Sequence, residues 1–557
     1  MNTSPFSCSL DHVSLFTAPP FVALSYCWGE LSDQISITVN GLGFPVTANL
    51  HSALRRLRAE RVERVWVDAL CINQQDDEER SHQVGRMGAI FQKANQVAVW
   101  LGDAQDMTEE DIKTLSAEHT AVAYQDRSGS ARRAFLRLLL KPYWTRVWII
   151  QELAAASKIT VFCGHYKLSW ETLEHFSRPT FAAGIDGTDS DELKARFQNL
   201  LQFRIDRLAI KPVRLLEALY RSRYALSTDP KDKIYGLLGL THDSDVFIPE
   251  PNYSQSVEET YTDFSKALIE KGFPLDLIYL RTSHRGLCNS LPSWVVDWRD
   301  LNDVLAKQEF KHIQASIQRS LSRFLPKQTD KPSFSENTLT VCGAILGTID
   351  SMGGAFSADG NGIMTHVVTT GKGAYSVPFN FDRSTYIFNA LLETQRLSAA
   401  TAELPLNPIG LWSSNDKTEL EKFFLGPMKP NVLEVLSEWI DANRSFITLG
   451  ETMDFWDSIW TSQPMKTDRN TGQDNCLRFL VTTILSGMRI TTVQTGELGW
   501  VHPQSQKGDR LCKVIGCDSY VILRSVPRGF QVIGEARLYW FAGEPELSDK
   551  VESLMIF

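Results

Sequence analysis

One stretch of this 557-residue chain constrains its fold more than any other: RVWVDALCINQQDDEERSHQVGRMGAIFQKANQVAVWLGD, residues 64–103. It opens on Val65-Trp66-Val67, a short apolar run that closes on Asp68. Asp76 stands three residues before Glu79, the spacing by which two side chains satisfy the first free N–H groups of a helix. Val84, Met87, Ile90, Phe91 and Ala94 then recur at steps of three and four, which gives one apolar helical face. A second buried-type strand, 97–101, ends on Gly102-Asp103. Strand, helix and strand, with both strands apolar, predict a βαβ unit in a parallel sheet covered by helices. Ligands of such sheets bind at the carboxyl ends of the strands, where Asp68 and Asp103 stand.

Upstream, residues 1–20 read as an arm, and 21–26 as a buried strand broken by Cys27-Trp28-Gly29. Residues 35–39 alternate like a half-exposed strand, with Asn40-Gly41 as a hairpin turn into Phe44-Pro45-Val46. Thr47 caps a predicted helix over 49–59 whose apolar face is Leu50, Ala53, Leu54 and Leu57. Downstream, 104–130 is polar, and 131–140 is helical. Pro142 starts a further helix over 143–153 that is apolar on nearly every side, followed by a strand at 159–163 and a turn at Gly164. Glycines 85 and 88 inside the helix of the βαβ unit each cost roughly 1 kcal/mol against Ala, and are expected to let that helix lie close to the sheet.

Beyond 170 the periodicity is mostly helical to about 310, and 314–338 reads as a surface connection. A strand pair is expected over 339–349, a glycine-rich stretch over 353–373, mixed helices to about 490, and a four-stranded meander from 510 to 541. The expected division is therefore an arm (1–20), an α/β domain (21–170), a helical region (171–325) and an α+β region ending in a β-meander (326–557), as the length requires.

Composition narrows the function classes. The balance of 57 basic against 66 acidic residues, with no basic block, argues against nucleic acid as a partner. No apolar run is long enough to cross a bilayer, and the first residues lack a secretory pattern. The nine cysteines are scattered without a C-x-x-C pair, as in a reduced, cytoplasmic protein. Cys163 and His165 lie close, but spacing supplies no further zinc ligands, so no metal site is expected. The segment DPKDKIYGLLGL (229–240) lacks phosphate-loop spacing.

Among single residues Glu152 is the most informative, because a carboxylate inside an apolar helix must be paired, exposed on a narrow face, or set in a cleft. Trp28 and Gly29 follow the first strand, where a glycine admits a ligand to the backbone and an indole offers a stacking face; a core Trp beside a turn is the structural alternative. Asp68 ends a strand or caps the next loop, and Asn73, Gln74 and Gln75 line that loop or simply form its turn. Cys71 has no nucleophile elbow to support it.

The segments ALSYCWG (23–29), the long block 64–103 and RVWIIQE (146–152) together resemble the HET domain of fungal heterokaryon-incompatibility proteins. Phe91 stands where that family more often has Tyr. Residues 49–58, 229–240, 291–298 and 508–524 resemble segments of the larger incompatibility proteins. HET domains are in turn similar, remotely, to TIR domains, so the resemblance implies a flavodoxin/TIR-like parallel sheet. Many TIR domains cleave NAD at the nicotinamide–ribose bond with a helix glutamate. In TRVWIIQEL the residues Arg146, Trp148, Glu152 and Leu153 fall in register with the plant-type pattern, Ile149 replacing its Cys.

The resemblance therefore implies Glu152 as catalytic residue, with Trp28, Gly29, Asp68, Asn73, Arg146 and Trp148 around the substrate, NAD being substrate and no cofactor being needed. It also implies self/non-self recognition and cell death, with self-association or other incompatibility proteins as partners. The competing reading is a non-enzymatic signalling module. An open cleft between Trp28 and Asp68 favours the enzyme; Glu152 in a closed ion pair favours the module.

Overall fold

The computed structural model describes residues 6–29, 32–104, 130–177, 188–280, 290–299, 331–354, 487–540 and 550–557, with isolated positions within 107–115, 439–454, 483–484 and 545–547. The chain forms two compact units, 1–260 and 261–557.

The first unit is built on a five-stranded sheet of β2 (Val22–Tyr26), β5 (Val65–Trp66), β6 (Gln96–Trp100), β7 (Ile159–Cys163) and β8 (Tyr166–Ser169), in the spatial order β5-β2-β6-β7-β8. The first four are mutually parallel and β8 returns antiparallel on β7. The chain from β5 to β6 thus crosses over β2, which lies between them, through helix α2 (Asp77–Lys93), while α1 is Ala48–Ala59. Parallel strands are covered on both faces, and β2, β6 and β7 are buried almost end to end.

On one face α1 packs through Leu50, Ala53, Leu54 and Leu57 onto Leu24, Tyr26, Ala98 and Trp100. Its cap is Thr47, whose hydroxyl accepts from Leu50 N–H. The strands β3 (Gln34–Val39) and β4 (Leu42–Thr47) join through the Asn40-Gly41 turn, both residues at positive φ. The arm supplies a further strand, β1 (Ser7–Cys8), parallel to β3.

The opposite face carries α2 and a later helix, α4 (Ile149–Ala155), while α3 (Ser130–Leu139) packs against α5 (Trp170–Phe176) and α6 (Thr188–Leu208); α7 is Leu215–Arg221. Helices of the stretch read as a separate helical region pack within this first unit, α6 against α4. Gly88 of α2 does not approach the sheet as expected. A Cβ there would lie 3.2 Å from Gly239 Cα, so its small size serves a helix-to-turn crossing with the segment 238–240.

The expected helix over 143–153 is two pieces. A 3₁₀ turn, Pro142–Thr145, ends at Arg146 in an extended conformation, and α4 begins only at Ile149. The break is tertiary: Val147 N–H donates to Leu226 O at 2.9 Å and Leu226 N–H to Thr145 O at 2.5 Å. Those bonds satisfy backbone groups that a continuous helix would have paired internally.

In the second unit β10 (Thr338–Met352) is one 15-residue strand with register shifts, where a strand pair was expected. With β9 (Ser333–Ser335), the short pair β11 (Ile447–Thr448) and β12 (Glu451–Thr452), then β13 (Arg489–Val493), β14 (Leu498–Val501), β15 (Arg510–Val514), β16 (Tyr520–Val526), β17 (Gly529–Tyr539) and β18 (Glu552–Ile556), it completes the strands. β10 pairs β15 on one side and β13 on the other, closing a ring β10-β13-β14-β17-β16-β15 that buries Ile349, Leu511, Ile522 and Ala536. The last two predicted meander strands are the single β17, bulged near Val532–Gly534, so the meander has three strands from β15 to β17. The glycine-rich stretch from 355 onward and most of the helices expected before 490 lie outside the described residues.

Candidate functional site

Period-two alternation along β2 turns Leu24 and Tyr26 toward α1 and Ser25 toward α4. A hydroxyl inside an apolar strand needs a partner, and Ser25 has two. Its Oγ lies 2.6 Å from the Tyr143 hydroxyl and donates to Glu152 Oε2. Glu152 is only 3% exposed, in an α4 whose residues 149–154 are all buried. The break before α4 aims Arg146 back at the strand end, where its Nη1 donates to Tyr26 O and stands 3.9 Å from Glu152 Oε1.

Burial lifts the Glu152 carboxyl to about 7. Arg146 and the Ser25 hydroxyl pull it down, and the negative charge of Asp68 adds to the rise. Near neutrality this group therefore divides between its charged and neutral forms, which neither ordinary surface nor tightly paired carboxylates do.

Asp68 does not end β5 as an open strand-end carboxylate. It begins a single helical turn, Asp68–Cys71, with Oδ1 accepting from Ala69 N–H and Oδ2 from Trp28 Nε1 at 2.8 Å. The Tyr26 hydroxyl also bonds to Asp68. The indole of Trp28 thus spans the gap to Asp68. Gly29 follows at φ +78°, exposed, and a Cβ there would lie 3.2 Å from Asn49 Cβ.

Asn73 and Trp148 are not brought to Glu152 by any bond. Asn73 is exposed and builds the turn, its Oδ1 accepting from Gln75 N–H and its N–H donating to Glu79 Oε1. Glu79 therefore serves Asn73, and Asp76 alone caps α2 by accepting from Glu78 and Glu79 N–H; the reciprocal box is absent. Trp148 donates through Nε1 to Asp232 at 3.0 Å, which ties α4 to the segment 229–240. Burial raises Asp232 to about 6. Asp103 contributes a backbone carbonyl to Lys141 Nζ at 2.9 Å. Cys71 lies 3.5 Å from Val67 N–H, its thiol pushed up by burial and so a poorer nucleophile.

Three contributors escape sequence reasoning. Ser25 and Tyr143 announce themselves only as polar groups in apolar runs. Asn49, in the first turn of α1, donates to Cys27 O at 2.6 Å and accepts from Trp100 Nε1 at 2.8 Å, so it bridges the ends of the adjacent strands β2 and β6.

The elements that assemble this centre coincide with a known family. Residues 21–152 match the family model described as heterokaryon incompatibility protein (HET). The chain carries a HET domain. It begins at β2 and ends on Glu152 itself, so every group bonded to that carboxylate lies inside it. The chain is also 27% identical to heterokaryon incompatibility protein 6, OR allele, of Neurospora crassa, over 63% of this chain and 64% of that protein. It thus spans less than two thirds of that relative's length. No solved structure matches the chain. Among the described residues, no helix is long and apolar enough to cross a membrane, and no group of three or more His, Cys, Asp or Glu side chains is placed to hold a metal ion.

Proposed function

We propose that this chain is a cytoplasmic incompatibility-type protein in which the HET domain signals by self/non-self contact, through self-association or another incompatibility protein, with Glu152 as an internal charge that organises it. One observation carries this reading: Glu152 is 3% exposed and held by Ser25 and Arg146, while Trp28 closes onto Asp68. A carboxylate that stabilises a sugar cation has to reach it, and this one is covered.

A second reading, TIR-like cleavage of NAD with cell death as the outcome, is favoured by specific features. Numbered along the chain, the parallel strands lie in the order 2-1-3-4 of flavodoxin-like sheets, whose ligands sit at the carboxyl ends of strands 1 and 3. Glu152 carries a perturbed pKa of the kind found at active sites. Loss of nicotinamide leaves positive charge on the ribose carbon, which a nearby carboxylate stabilises. In this reading NAD is substrate, Trp28 swings off Asp68 to stack on nicotinamide, and Gly29 leaves room for the ring.

The purified chain, free and forced to cluster, is incubated with NAD beside Glu152→Gln. The signalling reading expects equal NAD levels in all samples. Loss of NAD in the parent that disappears in Glu152→Gln overturns it in favour of the enzyme.

A further inference from the structure

The C-terminus of α6 holds a residue that the fold itself does not explain. Past Leu208 the chain makes the paired bonds with which helices commonly stop. Ile210 N–H donates to Arg207 O at 3.1 Å and Lys211 N–H to Asp206 O at 2.8 Å, with Pro212 just beyond. That arrangement turns one residue left-handed, a conformation glycine takes without steric cost. Here the residue is Ile210, at φ +55°. Among the described non-glycine residues at positive φ it is the only β-branched one, and its Cβ crowds the backbone there. Packing does not compensate. Ile210 is 89% exposed, and Leu208 and Ile205, neighbours at a spacing of three on the same helix end, are 65% and 55% exposed. A side chain that is strained and bare within the folded chain points to a use outside it.

The charges around this tip select what would cover it. Arg207 and Lys211 flank Leu208 and Ile210, and both are exposed. The one acid between Gln202 and Arg214 is Asp206, which is buried, 2.8 Å from Arg221 and 3.6 Å from Lys211. Arg207 donates to a neutral partner, Gln92 Oε1, at 3.1 Å. An apolar tip with a cationic rim thus stands on a chain of net charge -9, whose distant acids are screened beyond about 10 Å at ordinary ionic strength.

We propose that Ile205, Leu208 and Ile210 seat in the interfacial layer of an anionic phospholipid surface, with Arg207 and Lys211 on its headgroup phosphates. A protein partner fits less well. Three aliphatic side chains fall far short of the roughly 800 Å² per partner that a stable protein interface covers. Such interfaces are anchored by aromatic residues, and the one aromatic residue of 202–214, Phe203, is buried. A few apolar side chains beside cations are what reversible binding to an anionic membrane surface uses. This contact is independent of whether Glu152 signals or cleaves NAD.

The full chain is floated with vesicles of phosphatidylserine mixed into phosphatidylcholine, and with vesicles of phosphatidylcholine alone. Binding to the mixed vesicles is expected, weakening as salt rises, with the neutral vesicles at least about tenfold weaker. Ile210→Asp is expected to weaken binding at least about tenfold, and Arg207→Gln severalfold with a shallower salt dependence. Ile210→Gly removes the strain and the apolar side chain together, so it is expected to lose most of the binding while melting no lower than the parent. Absence of binding to the mixed vesicles, or equal binding by Ile210→Asp, overturns the proposal. Lower melting of Ile210→Gly overturns it too, because Ile210 then packs within the chain. A dimer of the vesicle-free chain that Ile210→Asp abolishes assigns the tip to a second copy instead.

Discussion

The second unit holds its own buried carboxylate beside an arginine, and its construction differs from that at Glu152. On β17, Glu535 and Arg537 sit two residues apart on one strand face; Nε and Nη2 of Arg537 donate to Glu535 Oε2 at 3.1 and 2.9 Å, and Ser519 Oγ donates to Oε1 at 2.7 Å. Both side chains are 2% exposed or less. In the HET domain the arginine comes from a break before the helix and stands 3.9 Å off, engaged with Tyr26 O as well. In the barrel pair the Glu535 carboxylate is met at both oxygens, and the geometry of the pair is fixed by one strand. The HET centre is assembled from three separate segments and leaves its carboxyl raised to about 7. A charge that is fully met holds a fold; a charge that is partly met stays responsive to protons and to its neighbours.

The largest effects expected of a single substitution test that contrast directly. Arg537→Met strands a buried carboxylate without its cation and should cost about 3–5 kcal/mol. Arg146→Met should cost only about 1–2 kcal/mol, because Glu152 is already near its pKa and takes up a proton instead. Hydrogen exchange read separately in each unit measures both. The opposite order would end the distinction.

The pH dependence comes next. The Glu152 carboxyl is raised in the folded chain from an ordinary value of 4.5 to about 7, so between those values the folded state binds more protons than the unfolded one. Its contribution is therefore present below about pH 4.5 and is lost as pH rises through 7, by roughly 3 kcal/mol at most. Glu152→Gln should remove that slope, matching the parent near pH 5 and exceeding it in thermal stability near pH 8. Asp232, also raised, contributes a similar slope at lower pH in both proteins and cancels in the comparison.

How far the sequence reaches differs between local and distant features. The cap Thr47 and the face Leu50, Ala53, Leu54 and Leu57 of α1 are legible because a cap and a 3.6-residue period are written within one element. The Glu152 position is legible because a carboxylate in an apolar run must have a reason. The break at Arg146 is not, since it depends on Leu226, far along the chain. Gly88 signals a close approach but not its partner, Gly239, which lies in a motif with no apparent role of its own. That crossing is itself testable. A Cβ at Gly239 would lie 2.9 Å from Gln151 Oε1, beside Glu152, and 3.2 Å from Gly88 Cα, so Gly239→Ala should cost about 1–3 kcal/mol by overpacking. Unchanged melting would show that the glycine crossing tolerates a methyl group and is not what holds α4 in place.

The smallest change in stability should bring the largest change in access. Trp28→Phe keeps an aromatic ring but loses the bond from Nε1 to Asp68, a half-buried contact worth about 1 kcal/mol. In the barrel the Glu535 carboxylate has no comparable single closure, since two side chains from β17 and its neighbouring segment already fill its oxygens. Labelling with a water-soluble carbodiimide, followed by peptide mapping, compares the two carboxylates in one sample. In the parent both should resist modification. In Trp28→Phe, labelling of Glu152 should rise severalfold while Glu535 stays protected. Equal protection in the variant would mean that Ser25, Tyr143 and the packing of α4 close the HET centre without the indole, and that opening it requires the helix to move.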